Sequence, residues 1–242
     1  MTSRAAGGPD DRSVLAAAAQ ALALVPDGAR VGLGSGRAAS RFIAELGARR
    51  REGLRVSGVP TSRAAADAAG RAGIPLIELG PGIRLDLTVD GADEVAPNLD
   101  LVKGWGGALV GERIVAASSQ RLVILVGEEK LVQRLGERGR VPVEIIPLAR
   151  WLVTRAIEAL GLTPAVRMDG AGRQPLVTEH GNLILDCAPP EPLRDATAAR
   201  ALEQALLAIT GVVDTGLFLG IADLVLVGHS DGRVDALGRM EE

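Results

Sequence analysis

The feature that most constrains this chain is a rhythm: short runs of Val, Ile and Leu alternate with longer, alanine-rich stretches of helical period through the first half of the sequence. Strands covered on both faces read as near-continuous apolar runs, and neighbouring parallel strands need a crossover helix between them. The rhythm therefore predicts an α/β fold built on a mostly parallel, helix-covered sheet. A polar start over residues 1–12 leads to a helix at 14–25, with Ser13 as its N-cap and Pro26-Asp27-Gly28 as its stop. Strands are expected at 30–33, 54–59, 76–79, 85–89 and 121–126, and further helices at 38–49, 63–72 and 108–118.

The rhythm changes near residues 136–140. Beyond them the pattern predicts a strand at 141–146, a helix at 148–160, a strand at 165–168, a hairpin of 175–179 and 182–186, a helix at 195–209 and a strand at 213–217. That order, β-α-β-β-α-β, is the split arrangement of a small ferredoxin-like α+β domain. The apolar run 222–227 is most simply returned to the first sheet. The expected domains are thus 1–135 plus 219–242, and 136–218.

Composition narrows the function classes. A chain of 242 residues with 47% hydrophobic content has enough apolar side chains for a sizeable core and is not a disordered segment. With 27 basic and 30 acidic residues, a net charge of −3 and no tyrosine, it has neither bulk attraction for nucleic acid or anionic membrane nor an aromatic platform for bases. One cysteine cannot form an internal disulfide, and two histidines give no metal-ligand spacing, so no metal and no other cofactor is expected. No apolar run approaches a membrane span. Arg4 and Arg12 before the stretch 14–25 imitate an export signal, but Asp10 and Asp11 interrupt the positive region; the helix reading implies the cytoplasm.

Three segments carry candidate chemistry. Gly34-Ser35-Gly36-Arg37-Ala38-Ala39 leaves a strand and opens a helix, where free backbone N–H groups favour a phosphate. It also fits a loose dinucleotide fingerprint, but the next strand ends Gly58-Val59-Pro60-Thr61, without the acid that would hold a ribose hydroxyl. Arg55 or Arg63 suits a 2′-phosphate instead, which keeps a nicotinamide-dependent reductase as an alternative. The second segment, Asp90-Gly91-Ala92-Asp93-Glu94, puts three acids at the carboxyl end of an apolar strand, where open α/β sheets bind ligands. Glu94 reads as its solvated member or as a partner for an arginine. In the third, Lys103-Gly104-Trp105-Gly106-Gly107 leads into a helix that carries Glu112. A carboxylate there is either a dipole-stabilising residue or a base beside a ligand-cradling loop, with Lys103 neutralising charge on an oxygen.

Together with Val141–Pro147 and Gly181–Asp186, these segments, in this order and spacing, resemble ribose-5-phosphate isomerase of type A from about residue 16 to residue 232. The resemblance implies a Rossmann-like domain plus the small ferredoxin-like one, a homodimer or homotetramer, and metal-independent interconversion of ribose 5-phosphate and ribulose 5-phosphate through an enediol. It implies that Glu112 moves the proton between the first two carbons, that Asp90 and Asp93 handle hydroxyl protons and ring opening, and that Lys103 stabilises the enediolate oxygen. Lys130 matches a substrate-contacting lysine, and Ser35, Gly36, Arg37 and Ala38 match the phosphate-side loop. Gly91, Ala92, Gly104, Trp105 and Gly106 complete the expected sugar-phosphate contacts.

The chain departs from the family pattern at three places. Leu33 and Gly36-Arg37 replace hydroxyl-bearing residues of the first turn, and Arg37 is expected to take over as a bidentate phosphate ligand. Trp105 stands where the family has glycine and is expected to narrow the pocket or shift sugar preference. Pro60-Thr61-Ser62 is less serine-rich than in some members. These departures leave open a non-catalytic sugar-phosphate binder, or an isomerase of a different sugar phosphate. One compositional fact favours the catalytic reading: only two of the 27 basic residues are lysine, and they are Lys103 and Lys130. Lysine offers a compact point charge suited to one oxygen in a tight site.

Overall fold

The computed structural model describes residues 9–238. In chain order they form α1 (Pro9–Leu22), β1 (Ala29–Leu33), α2 (Gly36–Arg51), β2 (Val56–Pro60), α3 (Arg63–Ala72), β3 (Leu87–Gly91), β4 (Glu94–Val95), β5 (Leu101–Val102), α4 (Leu109–Ala117) and β6 (Leu122–Gly127). A 3-10 turn, Glu128–Lys130, precedes β7 (Val141–Ile145), α5 (Arg150–Ala159), β8 (Thr163–Val166) and β9 (Leu183–Ala188). The remainder is α6 (Ala196–Leu207), β10 (Val212–Thr215), β11 (Leu217–Phe218), β12 (Leu224–Gly228) and β13 (Val234–Gly238). Two compact units result. The first holds the described residues up to Gly91, Ser118–Lys130 and those from Asp223 onward; the second holds Ala92–Ala117 and Leu131–Ala222.

The first unit is the expected helix-covered sheet. Its strands lie in the order β13-β12-β6-β3-β1-β2, parallel throughout except for the antiparallel edge pair β12–β13. The run 222–227 does return here, as β12 beside β6. Val31, Leu33, Val89, Val123, Leu125 and Leu226 of the strands pack against Ala17, Ala18 and Ala21 of α1 and Phe42, Ile43 and Leu46 of α2. Burying each of the large side chains contributes about 1.5–3 kcal/mol, so this apolar layer holds the sheet edge that carries the functional turns. Helix α1 starts at Pro9, ahead of the expected cap at Ser13, because proline at the first helical position gives up no intrahelical bond. Ser13 is buried instead; residues 1–8 of the expected polar start lie outside the described residues. The expected strand 76–79 is reduced to a single bridge between Gly58 and Leu76.

In the second unit β7, α5, β8, β9, α6 and β10 realise the β-α-β-β-α-β order. The four strands are all antiparallel in the spatial order β10-β7-β9-β8, the ferredoxin-like arrangement expected. Val143, Ile145, Val153, Ile157, Leu185 and Leu206 form its core. The first arm of the expected hairpin, 175–179, makes only isolated bridges at Pro175 and Val177. A separate small sheet, β11-β5-β4, was not expected from the sequence. It explains why residues 92–117 fall in this unit rather than in the expected 1–135 domain. Strand β5 pairs with β4 and β11, and Val102 packs with Val141 and Leu217.

Candidate active site

The residues expected to carry the chemistry fall into two groups, one in each unit. In the first unit, β1, β2, β3 and β6 are parallel, so their carboxyl ends share one sheet edge. The chain runs from β1 to β2 on one side and reaches β3 on the other, which makes the β1–β3 crevice a topological switch point. Asp90 closes that crevice. It is 1% exposed, and its Oδ1 accepts hydrogen bonds from the backbone N–H of Ser35 at 2.9 Å and of Gly91 at 2.8 Å. Gly34 is required here, since a methyl group on it would overlap the Asp90 carboxylate and Cα. Ser35 Oγ lies 2.8 Å from Thr61 Oγ1 and 2.6 Å from Ser62 Oγ, at the end of β2. Gly36 and Arg37 are exposed at the start of α2, and Ala38 is half-buried. Half-buried Lys130 follows the carboxyl end of β6.

The hydroxyls of Thr61 and Ser62 are functional candidates that the sequence marked only as a departure from the family's turn, not as site residues. Ser62 also caps α3, accepting the Ala65 N–H at 3.2 Å, and that capping signature was the available signal. Thr61 Oγ1 donates to the Leu33 carbonyl at 3.0 Å, so the three hydroxyls form a hydrogen-bonded chain that braces the start of the 16-residue α2, whose N-terminal N–H groups favour an anion.

In the second unit, Lys103 ends the segment after β5 and Glu112 lies in the first turn of α4. Their residues are 3% and 6% exposed, and Lys103 Nζ lies 3.5 Å from Glu112 Oε2. Two unit charges about 4 Å apart attract by roughly 4 kcal/mol at an effective dielectric constant near 20, whereas desolvating each ion costs several kcal/mol. Such a pair gives no clear gain in stability, so its presence points to chemistry. Asp93 Oδ2 accepts the Trp105 N–H at 2.9 Å. Gly104 adopts φ +95°, and a side chain on it would strike Leu109, so this turn admits only glycine.

Arg113, next to Glu112, was not foreseen. Its Nε donates to Asp214 Oδ2 at 2.6 Å, its Nη2 donates to the carbonyls of Thr215 at 2.9 Å and Leu217 at 2.8 Å, and its guanidinium lies 4.1 Å from the Phe218 ring centroid. It therefore pins α4, and with it the backbone of Glu112. Burial pushes the Asp214 carboxyl above its ordinary range, against the pull of Arg113.

One expectation is corrected. Glu94 is fully buried, not solvated, and accepts the N–H groups of Gly136 at 2.6 Å and Arg138 at 2.7 Å, so it fixes the 136–138 turn. Its hydrogen-bond partners are these backbone groups, and the charge of Arg138 adds a smaller attraction. The Trp105 ring stacks on its own unit's arginines, with Arg140 4.5 Å and Arg138 5.6 Å from its centroid.

A family model described as ribose 5-phosphate isomerase A (phosphoriboisomerase A) matches residues 57–232. The chain belongs to the ribose 5-phosphate isomerase A family. A relative from Roseiflexus sp. (strain RS-1) with that name is 46% identical over 226 residues, covering 90% of this chain and 93% of its own. The solved ribose 5-phosphate isomerase A of Methanocaldococcus jannaschii superposes with a TM-score of 0.86 at 40% identity, covering 95% of this chain and 99% of that one. A D-ribose-5-phosphate isomerase in complex with phospho-erythronic acid gives a TM-score of 0.89 at 36% identity, with the same coverage of 95% and 99%. The glycine-rich turn of this isomerase-family chain lies before the stretch its family model matches, which is where Leu33, Gly36 and Arg37 depart from the pattern. Among the described residues no group of three or more His, Cys, Asp and Glu side chains is placed to hold a metal ion, and no helix is long and apolar enough to cross a membrane.

Proposed function

We propose that this chain is a ribose-5-phosphate isomerase that interconverts D-ribose 5-phosphate and D-ribulose 5-phosphate through an enediol, without a metal. The observation that carries this reading is the buried Lys103–Glu112 pair. Moving a hydrogen beside a carbonyl requires a base and a positive group that meets the developing oxyanion. Glu112 takes the proton from one carbon and returns it to its neighbour. Lys103 stabilises the enediolate oxygen. Asp90 and Asp93, each fixed by backbone N–H groups, handle hydroxyl protons and ring opening. The phosphate is held by the α2 N-terminus, the Ser35 hydroxyl group, Arg37 and Lys130. A protein that only senses a sugar phosphate has no use for a buried base.

We place the enzyme in the cytoplasm, on the reading of the first apolar stretch as a packed helix, and assign it a homo-oligomeric state, on the family resemblance. The test is an assay of purified protein on ribose 5-phosphate with and without a chelator, beside other pentose and hexose phosphates. Turnover of ribose 5-phosphate that survives the chelator is expected; inactivity on it, or preference for another sugar phosphate, would overturn the reading.

A further inference from the structure

The stretch Gly181–Asp186 belongs to the family resemblance, yet none of the roles above uses it. The structure gives its last residue a task. Asp186 and Arg167 form an ion pair whose side chains are only 14% and 10% exposed. Arg167 Nε donates to Asp186 Oδ2 at 2.9 Å, and its Nη2 donates to Oδ1. That fork leaves Nη1 for two successive carbonyls, Gly104 O at 2.8 Å and Trp105 O at 3.0 Å. The same Gly104–Trp105 peptide uses its N–H for Asp93 Oδ2 at 2.9 Å. One peptide unit is thus held at both ends, by a guanidinium on its oxygen and a carboxylate on its N–H. A cation on the carbonyl polarises the amide and strengthens the N–H as a donor. Arg140 completes the arrangement, with its guanidinium 4.5 Å from the Trp105 centroid and its Nη1 3.4 Å from Asp186 Oδ2.

We infer that Arg167, oriented by Asp186, is a positioning residue that fixes the Lys103–Trp105 loop and, through the Gly104–Trp105 peptide, the carboxylate of Asp93. This rests on the isomerase reading above for its consequence in turnover, but the ordering of the loop is independent of it. Lysine cannot replace this arginine, because one ammonium cannot fork a carboxylate while serving two carbonyls.

The test uses the full-length protein carrying Trp151→Phe. Trp151 is 71% exposed and takes no part in the proposed machinery, so its loss leaves turnover unchanged and makes Trp105 the sole tryptophan. Into this parent are placed Arg167→Lys and, so that no buried charge is left unpaired should the single variant fold poorly, Arg167→Met with Asp186→Asn. Both are expected to lower kcat by about 10- to 100-fold, as misplacement of a reacting group does, with KM within about threefold of the parent. Trp105 emission is expected to shift to the red and its anisotropy to fall. A parent-like kcat in a folded variant, or a raised KM with kcat intact, would overturn the inference. Were the parent inactive on ribose 5-phosphate, the functional reading would fail, and unchanged Trp105 emission and anisotropy in the variants would then overturn the loop claim on its own.

Discussion

The glycine-rich turn of the first unit and the lysine-bearing loop of the second both lead from a strand into a helix, and they differ in how far along the segment they are held. The first is tied over Gly34 and Ser35, where the Gly34 N–H donates to the Val89 carbonyl at 3.0 Å, the Ser35 N–H donates to Asp90 and the Ser35 hydroxyl bonds Thr61 and Ser62, and it then opens onto exposed Gly36 and Arg37. The second is tied along its length. Lys103 N–H donates to the Gly216 carbonyl at 2.9 Å, Trp105 N–H to Asp93, and Gly107 N–H to the Gly104 carbonyl at 3.0 Å, while Arg167 holds two of its carbonyls. The difference follows from the chemistry each is proposed to serve. Phosphate is a diffuse, multiply charged group that backbone N–H groups and hydroxyls satisfy from several directions. A proton transfer tolerates far less misplacement, since an error of about 1 Å costs on the order of 100-fold in rate.

Substitutions in the two segments should therefore fail differently. Lys103→Arg puts a wide planar fork where the structure buries a point charge 3.5 Å from Glu112 and 5.6 Å from the Phe218 centroid. It is expected to lower kcat by about 100- to 1000-fold, the range found when an oxyanion-stabilising group is lost, while circular dichroism stays native. An active Lys103→Arg would erase the distinction between the segments. On the open side, Arg37→Ala should leave kcat near wild type and raise KM for ribose 5-phosphate about tenfold, as expected for the loss of one exposed charge-assisted contact. An unchanged KM would remove Arg37 from the phosphate site.

The smallest effect concerns the region behind Lys130. His229 lies 2.8 Å from Asp235 Oδ2 through Nε2 and 3.1 Å from Glu128 Oε2 through Nδ1. The Asp235 bond chiefly, with that of Glu128, raises the ring above its ordinary value of 6.5, against Arg233 and partial desolvation. Protonation is thus favoured in the folded state, so this stabilisation is complete below pH 6.5 and fades as pH rises through the higher folded value. Thermal unfolding between pH 6 and 8.5 should show a slight fall in midpoint that His229→Gln removes, and an NMR titration placing His229 at or below 6.5 would contradict it.

The same contrast explains what the sequence disclosed. Strand β6, Leu122–Gly127, is buried at every position and reads directly as an apolar run. The two-residue strands β4, β5 and β11 carry no such signal, because two residues are too few to show a period and β11 pairs with β5 from a distant part of the chain. Glu94 looked like a solvated acid because the N–H groups that bury it lie more than 40 residues away. Asp90, Lys103 and Glu112 were singled out by their local segments, but their proposed roles came from the family resemblance rather than from spacing alone. Arg113 and Arg167 were not, since their meaning lies in partners 101 and 19 residues distant.

The most direct test of the central claim follows ribose 5-phosphate labelled with carbon-13 at its first carbon by NMR, with wild-type protein and with Glu112→Gln. The wild type should bring the ribose and ribulose signals to equilibrium, and the folded variant should do so slower by about 100- to 10,000-fold, the range general base catalysis supplies. Equal rates for the two proteins, or no ribulose signal with the wild type, would contradict it.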